Sequence, residues 1–236
     1  MDYDTTGIEK KQDDSYETFI TAQKINVTLG GKTILEDFSL TVCRKGRVAL
    51  CGPSGIGKST VLRVLAGLID PNQGTLDRVG TVSMVFDDDR LYPCLSTLEN
   101  ICLGCDWGTI PRALRTNAAR NWASIFHCDT FLKQKAGTLS AGQRKRTALA
   151  RAMMKNPDLL LLDETFHALD EKLRYVLMDT LLQLQKQMGF AIVFATHDLR
   201  EAEYMNARIV FLQNSDREKP IENTYVSADS VRKGDE

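Results

Sequence analysis

Residues 52–59 read Gly-Pro-Ser-Gly-Ile-Gly-Lys-Ser, which fits the pattern G-x-x-x-x-G-K-[ST] at every fixed position. An apolar stretch that predicts a strand comes directly before it, and a predicted helix follows, as the pattern requires. The glycines let the backbone approach a ligand closely, and successive amide N–H groups then point into one concavity that holds an anion. The stretch therefore predicts a nucleotide-phosphate loop. The alternative is a glycine-rich turn with an exposed lysine.

The residues of this loop have distinct expected roles. Lys58 neutralises the β- and γ-phosphates, and the Ser59 hydroxyl binds Mg²⁺. The helix that begins near Ser59 adds the positive end of its dipole. The predicted nucleotide contacts are Gly52, Pro53, Ser54, Gly55, Ile56, Gly57, Lys58, Ser59 and Thr60.

The chain around the loop alternates strands with helices. Continuous apolar runs are typical of strands that are buried on both faces of a mostly parallel sheet. Two earlier stretches joined at Gly30-Gly31 predict an N-terminal antiparallel part. The fold class is therefore α/β, within a domain at 18–213 into which a helical subdomain at about 91–155 is inserted. The predicted strands are 19–28, 32–42, 47–51, 81–86, 159–162 and 190–195, and the predicted helices are 59–68, 141–155, 169–188 and 199–205.

A pair of acids, Asp163 and Glu164, follows the apolar run 159–162. In open parallel sheets, ligands bind at the carboxyl ends of strands. Asp163 is therefore expected to hold the metal through its water shell, and Glu164 to orient or deprotonate an attacking water. The alternative is that both acids simply face solvent at a strand end.

A third element opens the helix predicted at 141–155. Ser140 and Gln143 form an S-x-x-Q capping box, which alone indicates only a helix start. A helix N-terminus with small residues, here Ala141 and Gly142, can also hold an anion. Because it lies in the predicted helical insertion, it cannot readily serve the phosphates of its own loop. It is suited to the nucleotide of a second subunit.

This set of segments resembles the ATP-binding cassette (ABC) ATPases, in particular the single-cassette subunits of bacterial transporters. The resemblance covers nearly all of residues 19–213. Residues 52–59 resemble Walker A, and residues 159–163 resemble Walker B, with Glu164 as the catalytic base. Residues 139–143 resemble the signature LSGGQ, with Ala141 in place of its first glycine. Residues 168–170 resemble the D-loop, and residues 194–198 resemble the segment of the switch histidine, which is His197 here.

The resemblance implies a head-to-tail homodimer in which two ATP molecules lie between the loop of one subunit and the signature of the other. It also implies two transmembrane permease subunits that are driven by closure of the dimer. Residues 74–81 and 89–93 resemble more narrowly the cassettes of nitrate, sulfonate or taurine uptake systems.

Two positions depart from the family pattern. The family usually has glutamine where this chain has Asp87, a residue that would contact Mg²⁺ and the attacking water. A carboxylate there predicts an altered Mg²⁺ dependence, unless the register of the loop is shifted. The family often stacks an aromatic side chain on adenine near Leu29, and leucine offers no π-face. The alternative is that a side chain other than Leu29 covers the adenine base.

Composition excludes several classes of protein. With 30 Lys and Arg against 31 Asp and Glu, the net charge is −1, so bulk charge does not favour nucleic acid. No apolar run approaches the roughly 20 residues that span a bilayer, so a membrane role is expected to act through a partner.

The polar termini, 1–17 and 214–236, are expected to be flexible tails without a secretory signal. The six cysteines are expected to be reduced thiols, and Cys102-x-x-Cys105 with His127-Cys128 to be buried thiols and not a zinc site.

The sequence thus predicts the ATP-hydrolysing subunit of a membrane importer, located in the cytoplasm on the inner face of the cell membrane. The alternatives are a soluble ABC-type ATPase and a nucleotide-dependent binding module with little turnover. The segment 88–96, with Leu91, Tyr92 and Leu95 expected to be exposed, is either a surface for a permease or ordinary packing of the helical insertion.

Overall fold

The computed structural model describes residues 18–105, 111–167 and 169–212. Its smaller sheet is antiparallel, in the strand order β2-β1-β4, with β1 at Thr18–Leu29, β2 at Lys32–Cys43 and β4 at Gln73–Arg78. Gly30 and Gly31 turn the chain between β1 and β2 with positive φ, as the sequence predicts. The strand β4 was not predicted as such, because its side chains are mostly exposed and no apolar run marks it. The two predicted tails lie outside the described residues.

The larger sheet has five parallel strands in the order β5-β6-β7-β3-β8. Every residue of its strands β6 and β7 is buried, which explains their unbroken apolar sequences. The four-residue strand β8 was not predicted from the sequence. The bounds are Arg47–Cys51 for β3, Val82–Val85 for β5, Leu159–Asp163 for β6, Ala191–Thr196 for β7 and Arg208–Phe211 for β8.

Six α-helices complete the described part of the chain. Three of them lie between β5 and β6, where the sequence predicts a helical insertion. A capping residue sets the start of α5. The sequence predicts this helix from residue 169, but it begins at residue 171 because Asp170 is its N-cap and accepts a hydrogen bond from the amide of Leu173. The bounds are Lys58–Leu65 for α1, Thr97–Cys102 for α2, Arg112–Ile125 for α3, Ala141–Met153 for α4, Glu171–Met188 for α5 and Leu199–Tyr204 for α6.

Apolar layers cover both faces of the parallel sheet. Along β6, Leu160 and Leu162 pack into the cluster that contains α4, α5 and the helical insertion. Leu159 and Leu161 face the other way, into a cluster with α1 and the antiparallel sheet. The predicted α/β class, with a mostly parallel sheet and an antiparallel N-terminal part, is confirmed. Because both faces are covered, the edge of the sheet where the strands end is left for ligands.

All six cysteines are free. Burial raises the pKa of the Cys128 thiol to about 12, so this side chain stays protonated at neutral pH. Within the described ranges, Cys102, Cys105, His127 and Cys128 do not form a group of three ligands close enough to share one ion. In the same ranges, no helix has both the length and the apolar character needed to cross a membrane.

Candidate nucleotide-binding site

Four parallel strands end side by side at one edge of the larger sheet. The pairings Val85 with Leu162, Asp163 with Ala195 and Cys51 with Thr196 bring their last residues into line. The loops that follow β3, β5, β6 and β7 therefore meet, although the chain segments that carry them are far apart in sequence.

A pocket of about 630 Å³ opens between these loops. It brings together residues of the predicted phosphate loop, the acid pair, the switch-histidine segment and the Asp87 position. The described residues that line it are Ile34, Ser54, Gly55, Gly57, Lys58, Ser59, Thr60, Asp87, Glu164, His167 and His197. Of these, Ile34 and His167 were not predicted from the sequence.

The shape of the phosphate loop depends on its glycines. Gly52, Gly55 and Gly57 have φ values of 151°, 79° and 115°, a region that other L-residues rarely adopt. A Cβ at Gly52 would also lie 2.8 Å from the carbonyl oxygen of Leu212, at the end of β8. Gly57 is the N-cap of α1, so the loop leads directly into the positive end of that helix.

Lys58 lies buried at the centre of the pocket. Its Nζ donates hydrogen bonds to the carbonyl oxygens of Gly52 (2.8 Å) and Pro53 (3.0 Å) and is 3.1 Å from Oε1 of Glu164. A buried ammonium group needs such partners to remain charged. The Lys58 ammonium is therefore positioned at the phosphate loop, where it would also attract an anionic phosphate group.

Ser59 and Asp163 form the oxygen pair that the sequence assigns to Mg²⁺. The Ser59 hydroxyl donates to Oδ1 of Asp163 at 2.8 Å. Burial raises the pKa of Asp163, and the nearby carboxylates Asp87 and Glu164 raise it further. Hydroxyl and carboxylate oxygens are ligands that Mg²⁺ prefers, and a cation would offset the crowding of acids. The residues present therefore fit the ion.

Glu164 and His197 touch across the pocket, with Oε2 of Glu164 3.0 Å from Nδ1 of His197. Burial disfavours the charge on Glu164, but the hydrogen bond and charge of Lys58, followed by those of His197, outweigh it and lower its pKa. Glu164 is thus ionised at neutral pH, the form that accepts a proton. Its φ of 44° lies in the left-handed region, which is uncommon for residues other than glycine.

The segment around His197 is supported by residues that the sequence did not single out. Thr196 donates its hydroxyl to Oε2 of Glu201 at 2.6 Å. The guanidinium of Arg174, on α5, lies 3.3 Å from Asp198 and 3.6 Å from Glu201. Arg174 and Asp198 are 24 positions apart, so no local pattern could have found the pair.

The Asp87 loop, residues 86–90, is held against α4 by side-chain contacts. The Nζ of Lys145 lies 2.7 Å from Oδ1 of Asp89 and donates to the carbonyl oxygen of Asp87 at 3.1 Å. Arg151 donates to the carbonyl oxygens of Asp89 and Arg90, both at 2.6 Å. Asp89 is buried against these cations, whereas Asp87 lines the pocket. Asp87, and not Asp89, is therefore the acid that this loop presents to the pocket.

The signature segment lies away from the pocket of its own chain. Ser140 caps α4, with its amide 2.9 Å from Oε1 of Gln143 and its hydroxyl 3.3 Å from the amide of Gln143. The predicted capping box is confirmed. A Cβ at Gly142 would lie 2.8 Å from Cδ2 of Leu173, so a larger residue between α4 and α5 would require the Leu173 side chain to shift. Ser140, Ala141, Gly142 and Gln143 do not line the pocket of their own chain.

Leu29 is 42% exposed at the end of β1 and does not line the pocket. Ile34, on the neighbouring strand β2, does line it. An aliphatic side chain of β2 therefore lies beside the phosphate loop.

Residues 35–167 match the family described as ABC transporter. This match covers more than half of the chain, and the chain belongs to that family. The resemblance expected from the five sequence segments is thereby confirmed at the level of the family.

Two curated relatives are ATP-binding proteins of import systems. The spermidine/putrescine import ATP-binding protein PotA of Haemophilus ducreyi is 34% identical over 207 residues, which is 83% of this chain and 56% of the relative. PotA of Escherichia coli K12 is 35% identical over 215 residues, 86% of this chain and 57% of the relative. The chain thus spans little more than half the length of these relatives. They lend no support to the narrower resemblance to nitrate, sulfonate or taurine cassettes.

The fold is that of an ABC ATPase cassette. A dimeric, post-hydrolysis structure of the ATP-binding cassette MJ0796, bound to ADP and Pi, superposes with a TM-score of 0.76 at 27% identity and covers 86% of this chain and 99% of that one. A putative metal-chelate type ABC transporter in an inward-facing conformation shares the fold, with a TM-score of 0.75 at 21% identity over 92% of this chain and 88% of that one.

Proposed function

We propose that this chain binds and hydrolyses ATP and that it thereby energises a membrane transporter. The observation that carries this proposal is the convergence of Lys58, Ser59, Asp163, Glu164 and His197 on one pocket at the carboxyl edge of the parallel sheet. Membership of the ABC transporter family supports the same function.

Each residue has a chemical role in this proposal. The loop amides and Lys58 bind the phosphates, and Glu164 accepts a proton from the attacking water. His197 contacts the γ-phosphate as its charge shifts. Mg²⁺, held by Ser59 and Asp163 with Asp87 nearby, would neutralise charge on the phosphates. The test is phosphate release by the purified protein with Mg²⁺ and ATP, which the Glu164→Gln variant should lack.

The active unit in this proposal is a head-to-tail homodimer. The capped end of α4, with Ser140, Ala141, Gly142 and Gln143, does not line the pocket of its own chain. In a head-to-tail pair it meets the nucleotide of the other subunit, and a helix N-terminus is suited to bind a phosphate there. The dimeric form of MJ0796 supports this arrangement. ATP closes the dimer because it binds the closed state more tightly than the open one.

The surface for the permease in this proposal is a cleft of about 1070 Å³ beside the Asp87 loop, away from the nucleotide pocket. Arg90 and Tyr92 line it, and Tyr92 is 58% exposed. Of the three side chains expected to be exposed, only Tyr92 is fully so: Leu91 and Leu95 are half-buried, and Leu91 packs against the buried cluster that includes the helical insertion. We place the cassette at the inner face of the cell membrane, bound to its permease and not inserted in the bilayer. No nucleic acid is among its proposed partners. Co-purification from membranes would identify the permease.

Polyamines are the first class of cargo to test, because the relatives are spermidine/putrescine import proteins. We expect spermidine with its binding protein to stimulate ATP hydrolysis by the reconstituted transporter. Stimulation by taurine or nitrate instead would restore the narrower resemblance seen in residues 74–81 and 89–93.

A further inference from the structure

His167 lies in the nucleotide pocket, and the proposed hydrolysis assigns it no role. It follows Glu164 by three residues, and its ring lies edge-on to that of His197 with the centroids 4.4 Å apart. His167 and His197 are both exposed to the pocket, whereas Glu164 is half-buried. Two imidazoles and one carboxylate thus share the space where the loops after β6 and β7 meet.

The three side chains form a group with metal-ligand spacing. One ligand atom from each of Glu164, His167 and His197 can be chosen so that all three lie within 4.8 Å of one another. In a tetrahedral zinc site with bonds of about 2.0–2.2 Å, ligand atoms lie roughly 3.4 Å apart. Two of the three side chains are exposed, so rotation about their side-chain bonds can supply the remaining contraction of up to about 1.4 Å.

The donor set selects the kind of ion. Two imidazole nitrogens and one carboxylate oxygen suit Zn²⁺ and neighbouring divalent transition metals, with a fourth position open to water. Mg²⁺ prefers oxygen ligands, and Ser59 and Asp163 supply them elsewhere in the pocket. The two carboxylate oxygens of Glu164 have different neighbours: Oε1 lies 3.1 Å from Nζ of Lys58, and Oε2 lies 3.0 Å from Nδ1 of His197.

We propose that Glu164, His167 and His197 bind a Zn²⁺-class ion in the nucleotide-free chain, and that this ion blocks ATP hydrolysis by occupying the two side chains that hydrolysis needs. Inhibition rests on the proposed function, but binding of the metal does not. His167 is the residue that turns a glutamate–histidine pair into a three-ligand site.

The test uses Co²⁺ as a spectroscopic probe, because tetrahedral Co²⁺ absorbs strongly in visible light. The variants are His167→Asn and, as a matched control, His127→Asn. His127 is an exposed histidine outside the pocket with a φ of 54°, a conformation that asparagine tolerates. Wild-type protein and the His127 variant should bind one Co²⁺ per chain, and Zn²⁺ should displace it. The His167 variant should bind about tenfold more weakly or worse, since even the loss of an outer-shell partner costs 10–100-fold.

Hydrolysis supplies the second readout. With each variant normalised to its own rate without added metal, the Zn²⁺ concentration for half-inhibition should rise about tenfold in His167→Asn and stay unchanged in His127→Asn. The proposal is overturned if Co²⁺ binding gives no visible band, if both variants bind equally, or if a sulfur charge-transfer band shows that cysteines hold the ion. Failure of the proposed function would look different, since no phosphate would be released while Co²⁺ still bound.

Discussion

The phosphate loop at 52–59 and the Asp87 loop at 86–90 both follow parallel strands into the same pocket, but they are held in place by different means. The first depends on its own backbone, with glycines at φ values that other residues avoid. The second depends on cations from α4, chiefly Lys145 and Arg151. A loop built from its own backbone can be recognised in a short stretch of sequence, whereas a loop held by distant side chains cannot.

The largest effect is expected at Glu164, in the part of the site that sequence motifs reveal. Glu164→Gln removes the group that accepts a proton, so we expect kcat to fall by about 10²–10⁴-fold with ATP affinity retained. Phosphate release and nucleotide binding measure the two quantities. Glu203→Gln, an exposed position on α6, is the control and should leave kcat unchanged. A fall in kcat of less than tenfold in the Glu164 variant would show that Glu164 is not the catalytic base.

The next effect is on stability and concerns the Asp87 loop. Lys145→Met leaves the buried Asp89 carboxylate without its nearest cation, and breaking a buried ion pair costs about 3–5 kcal/mol of unfolding free energy. Urea unfolding measures the loss. The double variant Asp89→Asn with Lys145→Met should regain most of it, because position 89 then carries no charge that lacks the Lys145 ammonium. Asparagine also tolerates the φ of 58° at position 89.

Arg144→Met is the matched control for this pair. Arg144 lies on the same helix, its Nε is 3.6 Å from Asp89, and its side chain is 42% exposed. We expect a loss below about 1 kcal/mol, as for other solvent-screened pairs. Equal losses in the Arg144 and Lys145 variants would mean that the loop is not held by the buried pair.

A smaller effect is expected where the adenine base would lie. Leu29→Tyr adds a π-face at the exposed end of β1, and aromatic stacking is worth about 0.5–1.5 kcal/mol. ATP should therefore bind about two- to twelvefold more tightly in a titration calorimeter. Leu114→Tyr, exposed on α3, should not change the affinity. No change in the Leu29 variant would indicate that Ile34 already covers the base.

The smallest effect is expected at Asp87. Asp87→Gln removes a carboxylate from the pocket, so the Mg²⁺ concentration that supports half-maximal hydrolysis should rise by about two- to fivefold, the size of a solvent-screened charge interaction. ATP binding should persist. Asp88→Asn, whose side chain is 71% exposed, serves as the control. An unchanged Mg²⁺ titration in the Asp87 variant would show that this acid does not act on the ion.

The same contrast explains how far the sequence predicted the structure. The parallel strands, the phosphate loop, the acid pair after β6 and the capping box at Ser140 each lie within a few consecutive residues, so local patterns revealed them. The support of the Asp87 loop by Lys145 joins residues 56 and 58 positions apart, and that of Asp198 by Arg174 joins residues 24 apart. Such pairs depend on tertiary packing and leave no periodic signal.

His167 shows a different limit of prediction. It lies inside a segment that the sequence does identify, three residues after Glu164. A lone histidine has no spacing of its own, however, and only the fold brings it against His197. The signal that could have found it is the presence of two of the chain's three histidines just after strands that end at the same edge of the sheet.

The central claim is that two copies of this chain clamp ATP between the phosphate loop of one and the Ser140 end of α4 of the other. Light scattering of the Glu164→Gln variant with saturating ATP and Mg²⁺ tests it most directly, because this variant binds nucleotide without consuming it. The account predicts a dimer that returns to a monomer when the nucleotide is removed, and a Ser140→Arg change that prevents the dimer. A monomer at saturating ATP, with binding of the nucleotide verified, would contradict the account.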